Sequence, residues 1–326
     1  MRAVVTGGAG FIGSHVLEAL VARGDQAVCL ERCGADRRWI GALPVAHHEC
    51  GLADPAALRD ALEGADVVFH LAALTEARRP GDFYAVNTEG TANVLRAAAA
   101  CATPPHVILA SSLAALGPCR NGESLGADTV PRPLSHYGRS KLLAEAMVHA
   151  YADRVPATIL RLSSVYGPRE RGVLKFFQLV RRGVALTIGD WDREVQLLHV
   201  HDLVQALLRV SAARATTVGR TFVFAHPERV TWRRFAEVVG RALGREPRLL
   251  SLPVPVAHVV ARAAEWIAAA RSRAAILNRE RVREMTQRRW ICDPTPTVAA
   301  LSYAPRLAIT DGVPLTAAWY RGAGWL

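Results

Sequence analysis

A chain of 326 residues with 51% hydrophobic residues is long enough to bury a large core and is typical of a globular protein. Its formal charge of +11 does not predict a nucleic-acid partner, because the arginines are scattered, form no run beyond doublets and lack interleaved aromatic residues. The six cysteines form no Cys-x-x-Cys pair, which predicts reduced thiols in a cytoplasmic protein.

The amino-terminal elements predict a dinucleotide-binding loop. Residues 2–6 have the pattern of a short buried strand, and residues 14–24 have the pattern of a helix. Between them, Gly7, Gly10 and Gly13 fit the motif Gly-x-x-Gly-x-x-Gly. Small residues let the backbone approach a pyrophosphate, and the helix start offers N–H groups with a partial positive charge. The strand before and the helix after supply the context that this motif requires.

The second predicted strand, residues 26–30, ends at an acidic residue. Glu31 lies 18 residues beyond the last glycine of the loop, where a carboxylate accepts hydrogen bonds from the ribose hydroxyls of NAD. Arg32, Arg37 and Arg38 follow and offer an alternative, the 2′-phosphate of NADP. Because the carboxylate would repel that phosphate, we predict NAD and keep NADP as the alternative.

The rest of the first half alternates between strands and helices, which predicts a parallel sheet with helices on both faces. The predicted strands are 45–49, 66–70, 106–110 and 157–162, and the predicted helices are 55–62, 82–100 and 135–151.

The later segments are more mixed. Strands are predicted at 197–200 and 221–225, and helices at 173–182, 202–213, 232–243 and 311–320. The apolar stretch 254–270 is interrupted by His258, Arg262 and Glu265, so we expect no membrane span. We expect instead an amphipathic helix that covers a pocket or a subunit interface.

A Tyr-x-x-x-Lys pair carries the candidate chemistry. Only two of the 40 basic residues other than histidine are lysines, and one of them, Lys141, follows Tyr137 by four residues. At this spacing the two side chains share one helix face. We predict that the ammonium lowers the pKa of the phenol, so that Tyr137 exchanges a proton with an alcohol or carbonyl near neutral pH.

Several motifs in a fixed order resemble one known family. They are Thr6–Gly13, His70–Ala73, Asn87–Asn93, Ala110–Ser112, Tyr137-x-x-x-Lys141 and Arg161–Pro168. The chain resembles the extended short-chain dehydrogenase/reductase superfamily, also called the NAD-dependent epimerase/dehydratase family. The resemblance implies a Rossmann-type doubly wound parallel sheet over residues 1–165, with residues 195–225 returning to it. The substrate-binding region is then the smaller, interleaved part, residues 166–326.

The resemblance also implies roles for individual residues. Ser112, with Ser111 as the alternative, would hold the substrate oxygen beside Tyr137, and Lys141 would bind the nicotinamide ribose. The implied cofactor-binding set is Gly7, Gly10, Phe11, Ile12, Gly13, Glu31, Arg32, Leu71, Ala72, Ala73, Tyr137 and Lys141. Asn87 has two open interpretations, a site residue or a helix-packing residue, and His70 is interpreted as structural. No cluster of His, Asp or Cys has metal spacing, so no metal is predicted.

The sequence departs from the nucleotide-sugar epimerases of this family at three places. Ser164 stands where they have Asn, Val195 stands where they have a pyrophosphate-binding Arg, and residues 50–52 lack the acid expected near the adenine. Arg193 and Arg169 are candidate substitutes for the lost arginine. A lost bidentate Arg–phosphate contact favours an NAD-dependent dehydrogenase or reductase acting on a secondary alcohol or ketone. The alternative is a nucleotide-sugar 4-epimerase or dehydratase with tightly bound NAD.

The predicted partners are a small-molecule substrate and a second copy of the chain. Members of the resembled family often pair through two helices of the nucleotide domain. The corresponding helices here are the predicted ones at 82–100 and 135–151, so we predict a homodimer.

Overall fold

A computed structural model of the chain describes residues 1–120, 122–270 and 277–326. The strands of the described residues are β1 (Arg2–Thr6), β2 (Gln26–Glu31), β3 (Ala46–Glu49), β4 (Val67–His70), β5 (His106–Ser112), β6 (Ala157–Leu162), β7 (Ser164–Tyr166), β8 (Val184–Ile188), β9 (Glu194–Val195), β10 (Leu197–His199), β11 (Thr221–Phe224), β12 (Val230–Thr231), β13 (Arg248–Leu252) and β14 (Arg289–Trp290).

The helices are, in the same order, α1 (Phe11–Ala22), α2 (Pro55–Leu62), α3 (Pro80–Phe83), α4 (Gly90–Ala99), α5 (His136–Ala150), α6 (Gly172–Arg181), α7 (Val200–Ala212), α8 (Arg214–Thr217), α9 (Trp232–Leu243), α10 (Val254–Ala270), α11 (Arg279–Met285), α12 (Thr295–Leu301) and α13 (Ile309–Gly322). A π-helical segment, Tyr84–Glu89, joins α3 to α4, and a single 3₁₀ turn, Leu113–Ala115, follows β5.

A seven-stranded parallel sheet with the order β11-β6-β5-β4-β1-β2-β3 forms the centre of the molecule. Its inner strands are covered on both faces, since every residue of β4 and β6 is buried. One face packs on α1 and α7, and the other on α2, α4 and α5. The strand order reverses between β1 and β4, which opens a crevice at the carboxyl ends of these strands. The predicted doubly wound sheet is confirmed.

The helix predicted over residues 82–100 is present, but it contains a π-helical segment. The chain forms α3, then the π-helical turn Tyr84–Glu89, and only then α4. The amide of Asn87 lies in this wider turn and bonds to the Leu74 backbone and to the Ser140 hydroxyl. These contacts stabilise the π-helical turn, which has one more residue than an α-helical turn. The spacing of hydrophobic residues in the sequence does not reveal such a turn.

The later residues form small sheets of two or three strands instead of one large sheet. The pairs are β10-β7 and β13-β8, and the triple is β12-β9-β14. Aromatic and aliphatic residues of α6, α9 and α13 form a separate core beside them. Strand β11 joins the large sheet beside β6, so chain from the second half contributes to it. The domain division at residue 165 stays a prediction, as does the homodimer.

Within the described ranges, no helix combines the length and the apolar character needed to cross a bilayer.

Candidate active site

One long cleft of about 1330 Å³ runs along the carboxyl ends of the central strands. It extends from the glycine loop after β1, past the end of β5, to α11 in the second half. Every predicted site residue lines it, namely Gly7, Gly10, Phe11, Ile12, Gly13, Glu31, Arg32, Leu71, Ala72, Ala73, Ser112, Tyr137 and Lys141. The structure therefore brings together residues that are up to 134 positions apart in the sequence.

The glycine loop forms a cradle that side chains would fill. Gly7 has a φ of +68°, and a Cβ there would lie 2.9 Å from the backbone of Ala72. A Cβ on Gly13 would overlap with the carbonyl oxygen of Gly7. Gly10 caps α1, so the first N–H groups of that helix, at Phe11 and the residues after it, have no partner within the helix. This loop fits the pyrophosphate of a dinucleotide.

Glu31 is buried at the end of β2, where neighbouring side chains already bind it. The Arg37 guanidinium donates to it, and the His47 ring nitrogen lies 3.3 Å from the same carboxylate oxygen. Arg37 also donates to Glu49 at 2.5 Å, so it is not free to bind a 2′-phosphate. Arg32 is exposed and lines the cleft.

A group with metal-ligand atoms lies at the same place, and the sequence analysis missed it. Potential ligand atoms of Cys29, Glu31 and His47 all lie within 4.8 Å of one another. Their separation in sequence gives no metal-ligand spacing, and pairing of β2 with β3 brings them together. Burial and the Glu31 charge raise the pKa of the Cys29 thiol to about 12, which opposes metal binding by the thiolate. That no metal is needed stays a prediction.

Two consecutive serines at the end of β5 have different partners. Ser111 is buried and donates to Glu145, whose carboxylate also pairs with Arg161 at 2.8 Å. The Ser112 hydroxyl accepts the Ala114 N–H at 3.1 Å, and Ser112 lines the cleft together with Tyr137. The geometry favours Ser112 over Ser111 as the residue that meets the substrate.

Tyr137 and Lys141 lie on one face of α5, but their predicted electrostatic coupling is wrong for this structure. The Lys141 ammonium is buried and donates to the Ala110 carbonyl at 2.5 Å. Burial lowers the pKa of Lys141 to about 8, against the charge of Glu145. Burial also raises the pKa of Tyr137 to about 12, with the Ser112 hydrogen bond lowering it and the Glu284 charge raising it. Desolvation of the phenol thus prevails over any effect of the ammonium.

The start of α5 is held by residues that the sequence analysis did not single out. Ser135 caps the helix by accepting the Gly138 N–H at 3.0 Å, and it donates to Glu284 at 2.5 Å. Glu280 accepts the backbone N–H of His136 at 2.9 Å. The Ser135 cap is visible as a helix-start signal. The two glutamates come from α11, more than 140 residues away, and no local pattern predicts that contact.

Gly138 sets how closely α5 approaches the turn after Ser112. A Cβ at this position would overlap with the carbonyl oxygen of Ala114 and lie 3.1 Å from the Pro133 side chain. Glycine directly after Tyr137 therefore permits the close approach of α5 to the turn that follows Ser112.

Asn87 and His70 use their polar atoms within the protein. Asn87 makes three hydrogen bonds, one with Ser140 and two with the Leu74 backbone, which favours the packing interpretation over a site role. The His70 ring bonds to Thr6 at 2.8 Å and to Thr91 at 2.9 Å. Burial, with the nearby Lys141 charge, lowers the pKa of His70 to about 3. His70 is therefore a neutral structural residue.

At the far end of the cleft, position 195 is where the family resemblance implies a pyrophosphate-binding arginine. Among the described residues, no unpaired arginine takes its place there. Val195 lines the cleft, as the sequence implies. Arg169 does not line the cleft and instead donates to Ser14 at 3.0 Å and to Glu18 at 2.5 Å, so it is not a substitute. Arg193 lines the cleft but is buried, and two of its nitrogens are bound, one of them to Thr187 at 2.6 Å.

Comparisons with known proteins agree with this geometry. The model of the NAD dependent epimerase/dehydratase family matches residues 3–225, more than half of the chain, and confirms the resemblance. A ceramide reductase of Caulobacter vibrioides is 29% identical, covering 99% of this chain and 95% of its own. A Rhizobium meliloti protein named "Probable UDP-glucuronate 4-epimerase" is 27% identical, and the match covers 98% of this chain and 97% of the relative. The structure of Thermus thermophilus UDP-glucose 4-epimerase in complex with NAD matches with a TM-score of 0.80, 25% identity, and 99% and 100% coverage.

Proposed function

The chain belongs to the NAD dependent epimerase/dehydratase family, and from this premise we propose that it is an NAD-dependent reductase or dehydrogenase of a secondary alcohol/ketone pair. The proposed substrate is weakly polar and lacks a nucleotide diphosphate. Tyr137 is the proposed acid and base, with Ser112 and Lys141 as its partners in the site.

In this proposal, different parts of the cleft hold the two ends of the dinucleotide. The glycine loop Gly7–Gly13 and the start of α1 would hold the pyrophosphate, and Glu31 would accept from the adenosine ribose. Lys141 would bind the nicotinamide ribose. When bound, NAD(H) supplies or accepts the hydride at the substrate carbon.

The protonation state of Tyr137 supports the direction of ketone reduction. With a pKa near 12, the phenol carries its proton at neutral pH. A protonated phenol gives this proton to the ketone oxygen, while the Ser112 hydroxyl holds that oxygen by a hydrogen bond. In the reverse direction the tyrosinate accepts the proton of the alcohol. The site then needs a base at Tyr137, which its burial disfavours.

The charge at the substrate end of the cleft carries the proposal. From residue 162 onward the lining residues include the glutamates Glu170, Glu194 and Glu284, but only the arginines Arg193 and Arg281. The formal charge there is −1, although the whole chain carries +11. A nucleotide diphosphate needs the opposite sign. The remaining lining residues at this end are largely apolar, among them Phe176, Leu186, Trp232, Met285 and Trp290.

Relatives support both this function and its alternative. Similarity to the ceramide reductase extends over almost the full length of both chains, which supports a reductase of a weakly polar substrate. Similarity to the Thermus thermophilus UDP-glucose 4-epimerase supports the alternative, a nucleotide-sugar 4-epimerase or dehydratase with tightly held NAD.

The deciding experiment follows the fate of the cofactor with two substrate panels. The purified protein is given NADH with long-chain ketones, or NAD⁺ with UDP-glucose and UDP-glucuronate. We expect NADH to be consumed in proportion to the ketone, and UDP to be no competitor at millimolar concentration. Conversion of a UDP-sugar with no net change in NAD⁺ would show that the alternative is correct.

A further inference from the structure

Helix α10 presents an apolar face to solvent. Val259 and Trp266 are each 70% exposed, and Val256, Val260 and Ile267 are between 45% and 54% exposed. Their spacing places all five on one side of the helix. An ordinary surface helix turns such a stripe towards the core.

The opposite face of α10 is made of small residues. Ala257 and Ala261 are fully buried against Ile188 of β8 and Val282 of α11. The helix thus buries Ala257 and Ala261 and exposes Val256, Val259, Val260, Trp266 and Ile267. Packing among the described residues does not account for the large residues, which indicates that another apolar phase covers them.

The charge of the surrounding segment is strongly positive. Residues 254–290 contain eight arginines and three glutamates, a formal charge of +5. Within α10, exposed Arg262 lies 5.9 Å from the Trp266 ring centre. An apolar face with an amphipathic tryptophan and a basic surround has the composition of helices that lie in the headgroup layer of anionic membranes.

We propose that the exposed face of α10 docks onto the surface of a bilayer that contains anionic lipids. The helix lies parallel to the surface and inserts Val259, Trp266 and Ile267 into the headgroup boundary. This membrane contact is a property separate from the proposed reaction, and vesicle binding measures it without any turnover.

The docking face adjoins the substrate end of the cleft. Ile188, beneath α10, ends the strand that also supplies Leu186 to the cleft lining. Val282, the other buried neighbour, belongs to the helix that supplies Glu284 and Met285 to the same lining. Docking through α10 would therefore bring the cleft close to the lipid surface, which suits a substrate that is itself a lipid.

Charge favours a membrane over a second copy of the chain as the occupant. A two-fold contact through α10 would bring two segments of +5 together, and like charges across an interface are unfavourable. An anionic bilayer instead attracts the segment over roughly one Debye length, about 10 Å at 0.1 M salt.

Co-sedimentation with vesicles tests the proposal. The wild type is compared with the double variant Val259→Asp/Trp266→Asp on vesicles of phosphatidylcholine alone or mixed equally with phosphatidylglycerol. We expect binding to the mixed vesicles, weakened by salt, and a loss of about tenfold or more in the double variant. The matched control is Val130→Asp, which replaces a valine that is 69% exposed outside α10 and should leave binding unchanged.

Three outcomes would overturn the proposal. The first is no binding of the wild type to mixed vesicles, and the second is equal binding of the double variant and the wild type. The third comes from sedimentation equilibrium: a wild-type dimer that becomes monomeric in the double variant would show that a second copy covers α10. Circular dichroism of both variants verifies that the fold is retained, which we expect because all three substituted side chains are exposed.

Discussion

The nucleotide-binding half and the substrate half of this molecule build their parts of one cleft differently. In the first half, six of the seven strands of the parallel sheet support the glycine loop, and the backbone N–H groups at the start of α1 are the proposed binding groups. In the second half, small sheets of two or three strands support side chains that reach the cleft from distant segments. A binding site made of backbone groups therefore leaves a local motif in the sequence, whereas a site made of side chains from separate elements does not.

The two halves meet at the start of α5, where the proposed acid and base, Tyr137, is located. From the first half come Ser112 and the turn that Gly138 must approach, and from the second half comes Glu284. Variants at this junction separate the contributions of the two halves.

The largest expected effect is that of Tyr137→Phe. Loss of the hydroxyl removes the proposed acid and base, so kcat should fall by about 10²- to 10⁴-fold. NAD affinity should change little, because the glycine cradle is untouched. Steady-state kinetics and a cofactor titration measure the two quantities, with Tyr151→Phe, just beyond the same helix, as the control. Turnover that survives the substitution would refute the mechanism.

Next is Gly138→Ala, which inserts a Cβ between α5 and the Ala114 carbonyl. We expect unfolding in urea to require about 1–3 kcal/mol less free energy, as for an overpacked contact, together with a marked loss of kcat. Gly81→Ala is the matched control, because a Cβ there meets nothing within 4 Å. Equal stability and activity in the two variants would mean that the close approach of α5 is unimportant.

Acid should weaken the nucleotide half through His70. Its folded pKa is about 3, below the ordinary value of 6.5, so the unfolded chain binds more protons between these values. The stabilisation by neutral His70 is therefore present above pH 6.5 and is lost as the pH falls. Between pH 7 and pH 5, the contribution of His70 to the free energy of unfolding falls by about 2 kcal/mol.

Urea unfolding of the wild type and of His70→Asn at both pH values isolates this contribution. From pH 7 to pH 5, the free energy of unfolding of the variant should fall by about 2 kcal/mol less than that of the wild type. His48→Gln, at an exposed position on β3, should match the wild type. Parallel pH dependence in wild type and His70→Asn would contradict the assignment.

The smallest expected effect concerns the substrate half. The Glu284 charge raises the pKa of Tyr137, so Glu284→Gln should shift the basic limb of the kcat profile to lower pH. The shift should be below about one unit, because burial is the larger cause. Glu280→Gln is the control, since Glu280 contacts the same helix start without being among the causes that shift Tyr137. An unshifted or upward-moving limb would argue against this influence.

Much of the nucleotide half could be predicted from the sequence. Strand β1 and helix α2 have the predicted bounds, and the predicted glycine motif follows β1 but extends into the first turn of α1, which includes Gly13. The π-helical turn at Tyr84–Glu89 escaped prediction because Asn87 contacts from outside the helix hold it. Helix α11, which supplies Glu280 and Glu284, also escaped prediction, because its seven residues give too short a periodic signal.

By itself, the sequence indicated the Rossmann-type fold, the glycine loop and the shared helix face of Tyr137 and Lys141, because each has a local signal in short motifs or in the alternation of strand and helix patterns. Only the tertiary structure decided the state of that pair. It gave the Lys141 ammonium to the Ala110 carbonyl and buried the phenol, which raises the pKa of Tyr137 instead of lowering it. It also decided that α10 buries Ala257 and Ala261 and exposes Val259 and Trp266. The desolvation of a side chain and the face that a helix turns to solvent both depend on which distant elements pack against it. The spacing of residues along the chain does not encode this packing.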